Sequence, residues 1–283
     1  MVVDGEDWSF QEMDLGQVAW EIEVIKISVV TVCYNEVADI ATTLKSVASQ
    51  TYGEIEHVVK DGGSNDGTAG IVDQYASEHP NVVYESSKDG GLYNGMNIGL
   101  SKCTGDYVIF CNGGDRFASD DVIERMVERV MSDNMPDLVY GNSATEVKGE
   151  LMVRTAHGPS FIKMGMPAAH ESLLYKLEVV RKLCLEYDTS YHIAADYKFT
   201  YEFVKAAKTF AYVQMPIVIF FDGGVSTAHQ WQGMMECSRV RKEVSDLSLG
   251  TRVAIIIMQS CVLFMSTFAQ PLYQYIRLRK LRQ

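Results

Sequence analysis

Residues 26–33 of this chain, KISVVTVC, form a continuous apolar run rich in β-branched side chains, and similar short runs recur at IEHVVKD (55–61), NVVYES (81–86) and DYVIFCN (106–112). Runs of this length and composition are the sequence form of parallel strands covered on both faces. Helical stretches separate them. At about 37–49, Ile40, Leu44 and Val47 recur at spacings of four and three, and TAGIVDQYASEH (68–79) and the residues around 91–102 read as two further helices. Strand and helix alternate, so the N-terminal half predicts an α/β layer with a Rossmann-like, mostly parallel central sheet flanked by helices.

In an open sheet of that kind, ligands bind in the crevice outside the carboxyl ends of the strands. The polar clusters YNE, DGGSND, KDGG and NGGDR each follow one of the four runs, so all four loops are expected to face one crevice. Asp61, at the end of the second run, is placed to accept a hydrogen bond from a nucleobase N–H, and Tyr34 to stack on the base. No GxxxxGK[ST] and no GxGxxG follows a strand, which leaves a metal ion as the remaining device for diphosphate charge. Asp115 follows Gly113 and Gly114, which let the backbone approach a ligand, and its carboxylate suits Mg²⁺ or Mn²⁺. Asp89, beside Lys88, is a second carboxylate at the crevice.

The second half is mixed. DLVYGN and TEVKGELMVRT read as strands, about 171–186 and 194–207 as helices, and AYVQMPIVIF as a strand. No internal repeat or low-complexity linker divides the chain. The expected division is a peripheral arm over 1–24, one catalytic domain over 25–235 and a helical segment over 236–283.

Composition excludes several classes. With 47% hydrophobic and 22% charged residues, collagen, coiled coil and bulk disorder drop out. Lys plus Arg number 25 against 37 for Asp plus Glu, a net charge of −12, so a nucleic-acid partner is not expected. Six cysteines lie far apart without a CxxC pair, and the acidic N-terminus lacks the order of an export signal; reduced thiols and a cytoplasmic location are the expectation. Residues 253–276 carry no charged side chain and are followed by RLRKLR. That is long enough to span a bilayer. Gln259, Ser260, Ser266, Thr267, Gln270 and Pro271 interrupt it, however, and the basic tail would oppose the positive-inside tendency. The expectation is peripheral contact through 253–283 at the inner face of the plasma membrane, with Arg277, Arg279, Lys280 and Arg282 on anionic headgroups. Packing against the chain's own core or in a homo-oligomer accounts for the same residues, and the sequence leaves these open.

Taken together, KISVVTVCYNE, DGGSNDGT, KDGGLYNGMNIGL, TGDYVIFCNGGDRF and IAADY resemble the family 2 inverting glycosyltransferases of GT-A fold, in particular the bacterial polysaccharide and colanic-acid biosynthesis type. The resemblance covers roughly residues 26–225. It implies inverting transfer of a sugar from a nucleotide-sugar donor to a glycan or polyprenyl-linked acceptor, with a divalent metal. It also implies that Val32, Tyr34 and Glu36 line the nucleoside, that Asp61 binds the base and that Asp89 with Gly90 faces the ribose or donor sugar. Gly114 belongs to the donor-binding turn, and Asp115 to the metal. Asp196, in YHIAADYKF, resembles the family's base, while His170 and Glu171 border the acceptor, either one an alternative base or a group orienting the donor sugar.

DGGVSTAH (222–229) resembles a loop that closes over donor phosphates, with Ser226 on a phosphate and His229 completing the metal shell. Arg239 and Arg241 stand either toward the diphosphate or on a solvated helix face. Two positions depart from the family pattern: Asn112-Gly113-Gly114-Asp115 carries one carboxylate where an Asp-x-Asp-like motif is usual, and Asn94 replaces an acid. The thinned motif motivates an alternative, a catalytically degenerate subunit that only binds a sugar nucleotide. A sugar nucleotidyltransferase is the other, but it calls for a GxGxR loop that residues 26–40 lack.

Overall fold

The computed structural model describes residues 24–147, 149–220 and 229–268. All of the expected arm but its last residue, Ser226 of the phosphate loop, and the basic tail lie outside these residues. The expected alternation holds through the first half: β1 (Ile27–Cys33), α1 (Ile40–Ala48), β2 (Ile55–Asp61), α2 (Thr68–Glu78), β3 (Val82–Ser86), α3 (Leu92–Lys102) and β4 (Tyr107–Phe110). These four strands are parallel in the order β3-β2-β1-β4. Cys33 pairs with Asp61 and Asp61 with Ser86, so the strands finish level and their loops leave from one edge.

Both faces of β1 are buried, which is why its sequence shows no polar alternation. Ile27 and Val29 join one core cluster with Ile109, Val122, Ile123 and Met126, beneath α4 (Val122–Ser132). Val30 and Val32 face the other cluster, which contains Met96 of α3, Phe110, Tyr175, Tyr187 and, from α6 (Ala195–Ala206), Phe199. Gly99 of α3 is required by that closeness: a Cβ there would lie 2.6 Å from Val30 Cγ1.

The second half completes the sheet. Two-residue β5 (Arg116–Phe117), β6 (Leu138–Val147), β7 (Glu150–Arg154), β8 (Leu173–Lys176) and β9 (Phe210–Phe220) extend the order as β4-β8-β6-β9-β5, with β7 paired to β6. The sheet is therefore parallel at one side and mixed at the other; β8 is antiparallel to both neighbours. Two expectations are corrected. The helix expected over 171–186 is a short 3₁₀ turn (His170–Ser172), strand β8 and a helix, α5, of only Leu177–Lys182. Leu173, Leu174 and Tyr175 fill the slot between β4 and β6 with no exposed surface, and burial in a central strand overrides local helical preference. TEVKGELMVRT is not one strand but the end of β6 turning back as β7 through Gly149 at φ +80°.

Two helices close the described chain, α7 (Gln230–Val244) and α8 (Leu249–Phe268). Ser260 of α8 donates its hydroxyl to Met234 Sδ of α7 at 3.6 Å, and Gln259 bonds the Met164 carbonyl at 2.9 Å. Among the described residues, no helix is long and apolar enough to cross a membrane.

Candidate active site

The four expected loops meet at one edge of the sheet and are laced to each other. Asn35, which adopts φ +54°, receives the Asn65 backbone N–H on its side chain at 3.0 Å and donates its own N–H to Ser64 at 2.8 Å. Thr68 and Asp66 accept from the backbone of Glu36 and Val37. Tyr34 stands over the second loop: a Cβ on Gly62 would meet its ring at 3.2 Å, yet the residue is 59% exposed, an open aromatic wall.

Asp61 is fully buried. Its carboxylate accepts from the Ser64 and Ser86 hydroxyls and from the backbone N–H groups of Gly63 and Ser64. Burial by itself would raise this carboxyl, but those donors outweigh it and hold it below the ordinary range. Asp61 is thus first of all the organiser of its own loop.

Lys60, which sequence reasoning passed over, is buried beside it. Its ammonium donates to the carbonyls of Asp61 and Ser87 and lies 3.7 Å from Asp89 Oδ2. One cation therefore ties the second loop to the third. Asp89 also accepts the Gly91 N–H at 2.9 Å, across the left-handed Gly90. A Cβ on Gly95 would come within 2.8 Å of both Asp89 Oδ2 and Val32 Cγ1, so the start of α3 sits directly on this pair.

The fourth loop turns under the first. Gly113 donates to the Val32 carbonyl at 2.9 Å, and Thr43 of α1 both receives the Gly114 N–H and donates to the Asp115 carbonyl. Glu36 lies along this turn: a Cβ on Gly113 would sit 3.2 Å from its Cγ, and one on Gly114 4.0 Å from its Oε2. Burial is the main reason why the Glu36 carboxyl is raised, with Asp39 and Asp66 adding to it.

Beside the fourth loop stand Glu171 and, near it, Asp196. Asn112 Nδ2 donates to Glu171 Oε1 at 2.9 Å, while Asn112 Oδ1 is buried with no donor among the described residues. Burial pushes Glu171 up to about 7, and the nearby Asp196 charge adds to it. Asp196, in the first turn of α6, is raised to about 6, again chiefly by burial, against a hydrogen bond from the Tyr197 N–H. A carboxyl poised near neutrality in a crevice is the usual form of a general acid or base. Glu236 of α7 holds the segment before Asp196: it accepts the backbone N–H groups of His192, Ile193 and Ala194. Tyr93 donates to the Ile193 carbonyl at 2.6 Å from the donor side.

The remaining candidates are placed elsewhere or differently. His170 sits in the aromatic core, its ring 4.8 Å from Phe110 and its Nε2 3.0 Å from the Tyr187 hydroxyl; burial lowers it to about 3. It is a neutral packing group there. His229 is exposed at the N-cap of α7, and among the described residues no three His, Cys, Asp or Glu side chains cluster to hold a metal. Arg241 is fully buried, bonded to Gln259 and 5.9 Å from the Tyr197 ring centroid, and Arg239 pairs with Glu243 and stacks on Tyr191. Neither of the two positions expected for Arg241 is correct: it lies inside the protein, where its aliphatic stem and planar head join α6 to α8.

A hard cation takes one or two protein carboxylates and completes its shell from substrate phosphates. Asp115 ends the glycine-rich turn along which Glu36 reaches from the first loop, and Asn112 Oδ1 is orphaned at its base, so the donors on offer there are oxygens, which suits a cation of that kind.

A sequence model described as glycosyl transferase family 2 matches residues 28–176. An uncharacterized glycosyltransferase of Mycobacterium tuberculosis is 32% identical over 181 residues, 61% of this chain and 66% of that protein, so the match spans just under two thirds of that relative. A PGL/p-HBAD biosynthesis glycosyltransferase of Mycobacterium bovis is 24% identical over 82% of this chain and 89% of its own. Among solved structures, S. aureus TarS 1–349 in complex with UDP-GlcNAc superposes with a TM-score of 0.65 at 18% identity, covering 86% of this chain and 73% of that one. The mannosyltransferase PcManGT from Pyrobaculum calidifontis, in complex with GDP-Man and Mn²⁺, gives 0.57 at 17% identity, over 90% of this chain and 80% of that one.

Proposed function

The chain belongs to glycosyl transferase family 2, and from that premise we propose that it moves a sugar, with inversion, from a nucleoside-diphosphate donor to a hydroxyl of a glycan or polyprenyl-linked acceptor at the inner face of the plasma membrane. The observation that carries this reading is a pair of buried carboxyls beside four interlaced strand-end loops: Glu171, bonded to Asn112 of the fourth loop, and Asp196, near enough to act on it, both pushed up toward neutrality by burial.

In this reaction the acceptor O–H gives its proton to Asp196 as its oxygen bonds to the anomeric carbon, and the bond from that carbon to the diphosphate breaks on the opposite side. Asp196 is ionised above about 6 and so is competent as the base at neutral pH. Glu171, pushed up to about 7, keeps a substantial protonated fraction and donates to a sugar hydroxyl, while Asn112 fixes its other oxygen. Tyr34 walls the base, and Asp89 with Gly90 meets the ribose or donor sugar. Val32 and Glu36 lie between the first and fourth loops, beside the nucleoside. Asp61 acts through the loop it holds, and a base N–H reaching it would replace one of its two hydroxyl donors. Mg²⁺ or Mn²⁺, held by Asp115 with Glu36, would supply positive charge to the leaving diphosphate; by the family resemblance, Ser226, outside the described residues, would meet a phosphate and His229 would join the metal shell only if the exposed N-terminus of α7 moved toward it. TarS bound to UDP-GlcNAc and PcManGT bound to GDP-Man and Mn²⁺ support a nucleotide-sugar donor and a divalent metal here.

Thermal melts with UDP, GDP and dTDP, each with and without Mn²⁺, test the donor half. One nucleotide is expected to raise the melting temperature only with metal, because a ligand bound to the native state alone stabilises it by mass action, and Asp115→Asn is expected to remove the rise. No shift with any of them would overturn the reading. Tight nucleotide binding with no turnover on any lipid acceptor would favour the degenerate subunit.

A further inference from the structure

We propose that the exposed side of the α7–α8 hairpin is a docking surface for an anionic lipid layer, on which the enzyme lies with α8 flat in the headgroup region. One side of α8 is occupied by the protein: Ile255 is 4% exposed, and Gln259 and Ser260 bond Met164 and Met234. Much of the rest of its circumference is exposed. At 3.6 residues per turn the exposed residues span a wide arc, with Leu249, Val253, Ile257 and Phe264 toward one edge and Met258 and Val262 toward the other, about 100° further round across exposed Gly250, Ala254 and Cys261. The six large apolar side chains are all exposed, Ile257 by 58% and Leu249 by 69%. Arg252 is the one charged residue within α8, and none follows until Arg277.

The patch continues onto α7. Trp231, Met234 and Met235 share one helical face at spacings of three and four; Met234 meets Ser260, and Trp231 and Met235 remain exposed beside the second half of α8. An exposed Trp at the rim of an apolar face suits the boundary between headgroups and acyl chains.

Chemistry selects lipid over a second copy. Residues 269–283, outside the described part of the chain, contain no acid and carry Arg277, Arg279, Lys280 and Arg282, in a protein whose net charge is −12. A lipid surface pairs an anionic layer with an apolar one, and this chain pairs an apolar helix face with a cationic segment that follows it in sequence. A second copy would instead set two bodies of −12 against each other. The strongly acidic body is repelled by the same headgroups, so the two forces orient the enzyme with α8 toward the membrane.

Flotation of the full chain with vesicles of phosphatidylcholine, with and without phosphatidylglycerol, tests this. The wild type is expected to float with the anionic vesicles. Val253→Glu with Ile257→Glu, at two exposed positions, is expected to lower the partition by at least about tenfold on either vesicle, since two side chains no longer enter the apolar layer. Changing Arg277, Arg279, Lys280 and Arg282 to Gln should cost about fivefold per cation on anionic vesicles alone. Equal flotation of wild type and the double variant, with both still melting cooperatively, would overturn the proposal. So would a wild-type dimer in light scattering that the double variant breaks, with no flotation of either, which assigns the face to a second copy. The surface serves the transfer proposed above through a lipid-linked acceptor. No donor is present in flotation, so vesicle binding and turnover fail as separate results.

Discussion

Asp196→Asn separates a catalytic carboxyl from a helix-capping one, because the two roles predict opposite changes in stability. Burial moves this carboxyl from an ordinary 3.8 to about 6, roughly two units. The folded state therefore binds the proton more tightly than the unfolded state does. The stability this confers is complete below about pH 4 and is lost as pH rises through 6, so at pH 8 the ionised, half-buried group is a net cost. At about 1.4 kcal/mol per unit, discounted for the part of the side chain that meets solvent, the cost is on the order of 1–3 kcal/mol. An amide of the same shape keeps the side-chain oxygen that receives the Tyr197 N–H and carries no charge to desolvate.

The variant is therefore expected to lose about 10²- to 10⁴-fold in transfer rate, the usual worth of a general base. It should at the same time melt higher than wild type at pH 8, by about 2–4 °C per kcal/mol gained. Melts at pH 8 and pH 4 together with initial rates of transfer measure both. The reasoning is refuted if Asp196→Asn keeps a third or more of the wild-type rate. It is equally refuted if the variant is less stable at pH 8, as loss of a capping aspartate would make it, or if its gain is the same at pH 4, since that gain would not come from ionisation.

Glu171→Gln fixes the neutral form of the second carboxyl. The rate profile of the wild type should rise through about 6 and fall above about 7, two macroscopic steps of one coupled pair, and this variant should keep the rise and lose the fall, as read from rates over that pH range. Asp61→Ala should cost about 3 kcal/mol in the absence of any ligand, because buried hydroxyl and amide donors lose their acceptor; urea unfolding of the free protein reads it, and an unchanged midpoint would mean that Asp61 does not hold its loop. Gly95→Ala should destabilise by about 1–3 kcal/mol and raise the donor KM, since the new methyl meets Val32 and Asp89 at 2.8 Å; a neutral outcome in melts and kinetics would show that α3 shifts freely. Asp89→Asn leaves the Lys60 ammonium buried without its anion and should cost about 3 kcal/mol in the same urea assay, near the low end for a broken buried pair because two carbonyls remain on it.

What was legible in the sequence was what local pattern determines. The four strands of the parallel side, their helices and the loops at one edge could be read because each strand is a self-contained apolar run with its own turn signal, and the expected crevice is where those loops meet. Strand β8 was not legible. Its residues, LLYK, are followed by a helix former's sequence, and only the empty slot between β4 and β6, built from segments 30 to 70 residues earlier, makes an extended conformation the better one. The same limit applies to the site. Asp61 and Asp196 were identifiable as acids beside a strand end and a helix start. Their chemical states were not, because those come from distant partners: Ser86 on β3 for Asp61, and for Asp196 the enclosure formed when Glu236 of α7 and Tyr93 of α3 draw the 192–194 segment inward. His170 shows the converse. The family resemblance set it beside the acceptor, as an alternative base or a group orienting the donor sugar, whereas Phe110 and Tyr187, one from the parallel half and one from the second half, surround its buried ring. The acidity of this site is thus a tertiary property: local sequence supplies the carboxyls, and the packing of the second half on the first decides which of them can hold a proton near neutral pH.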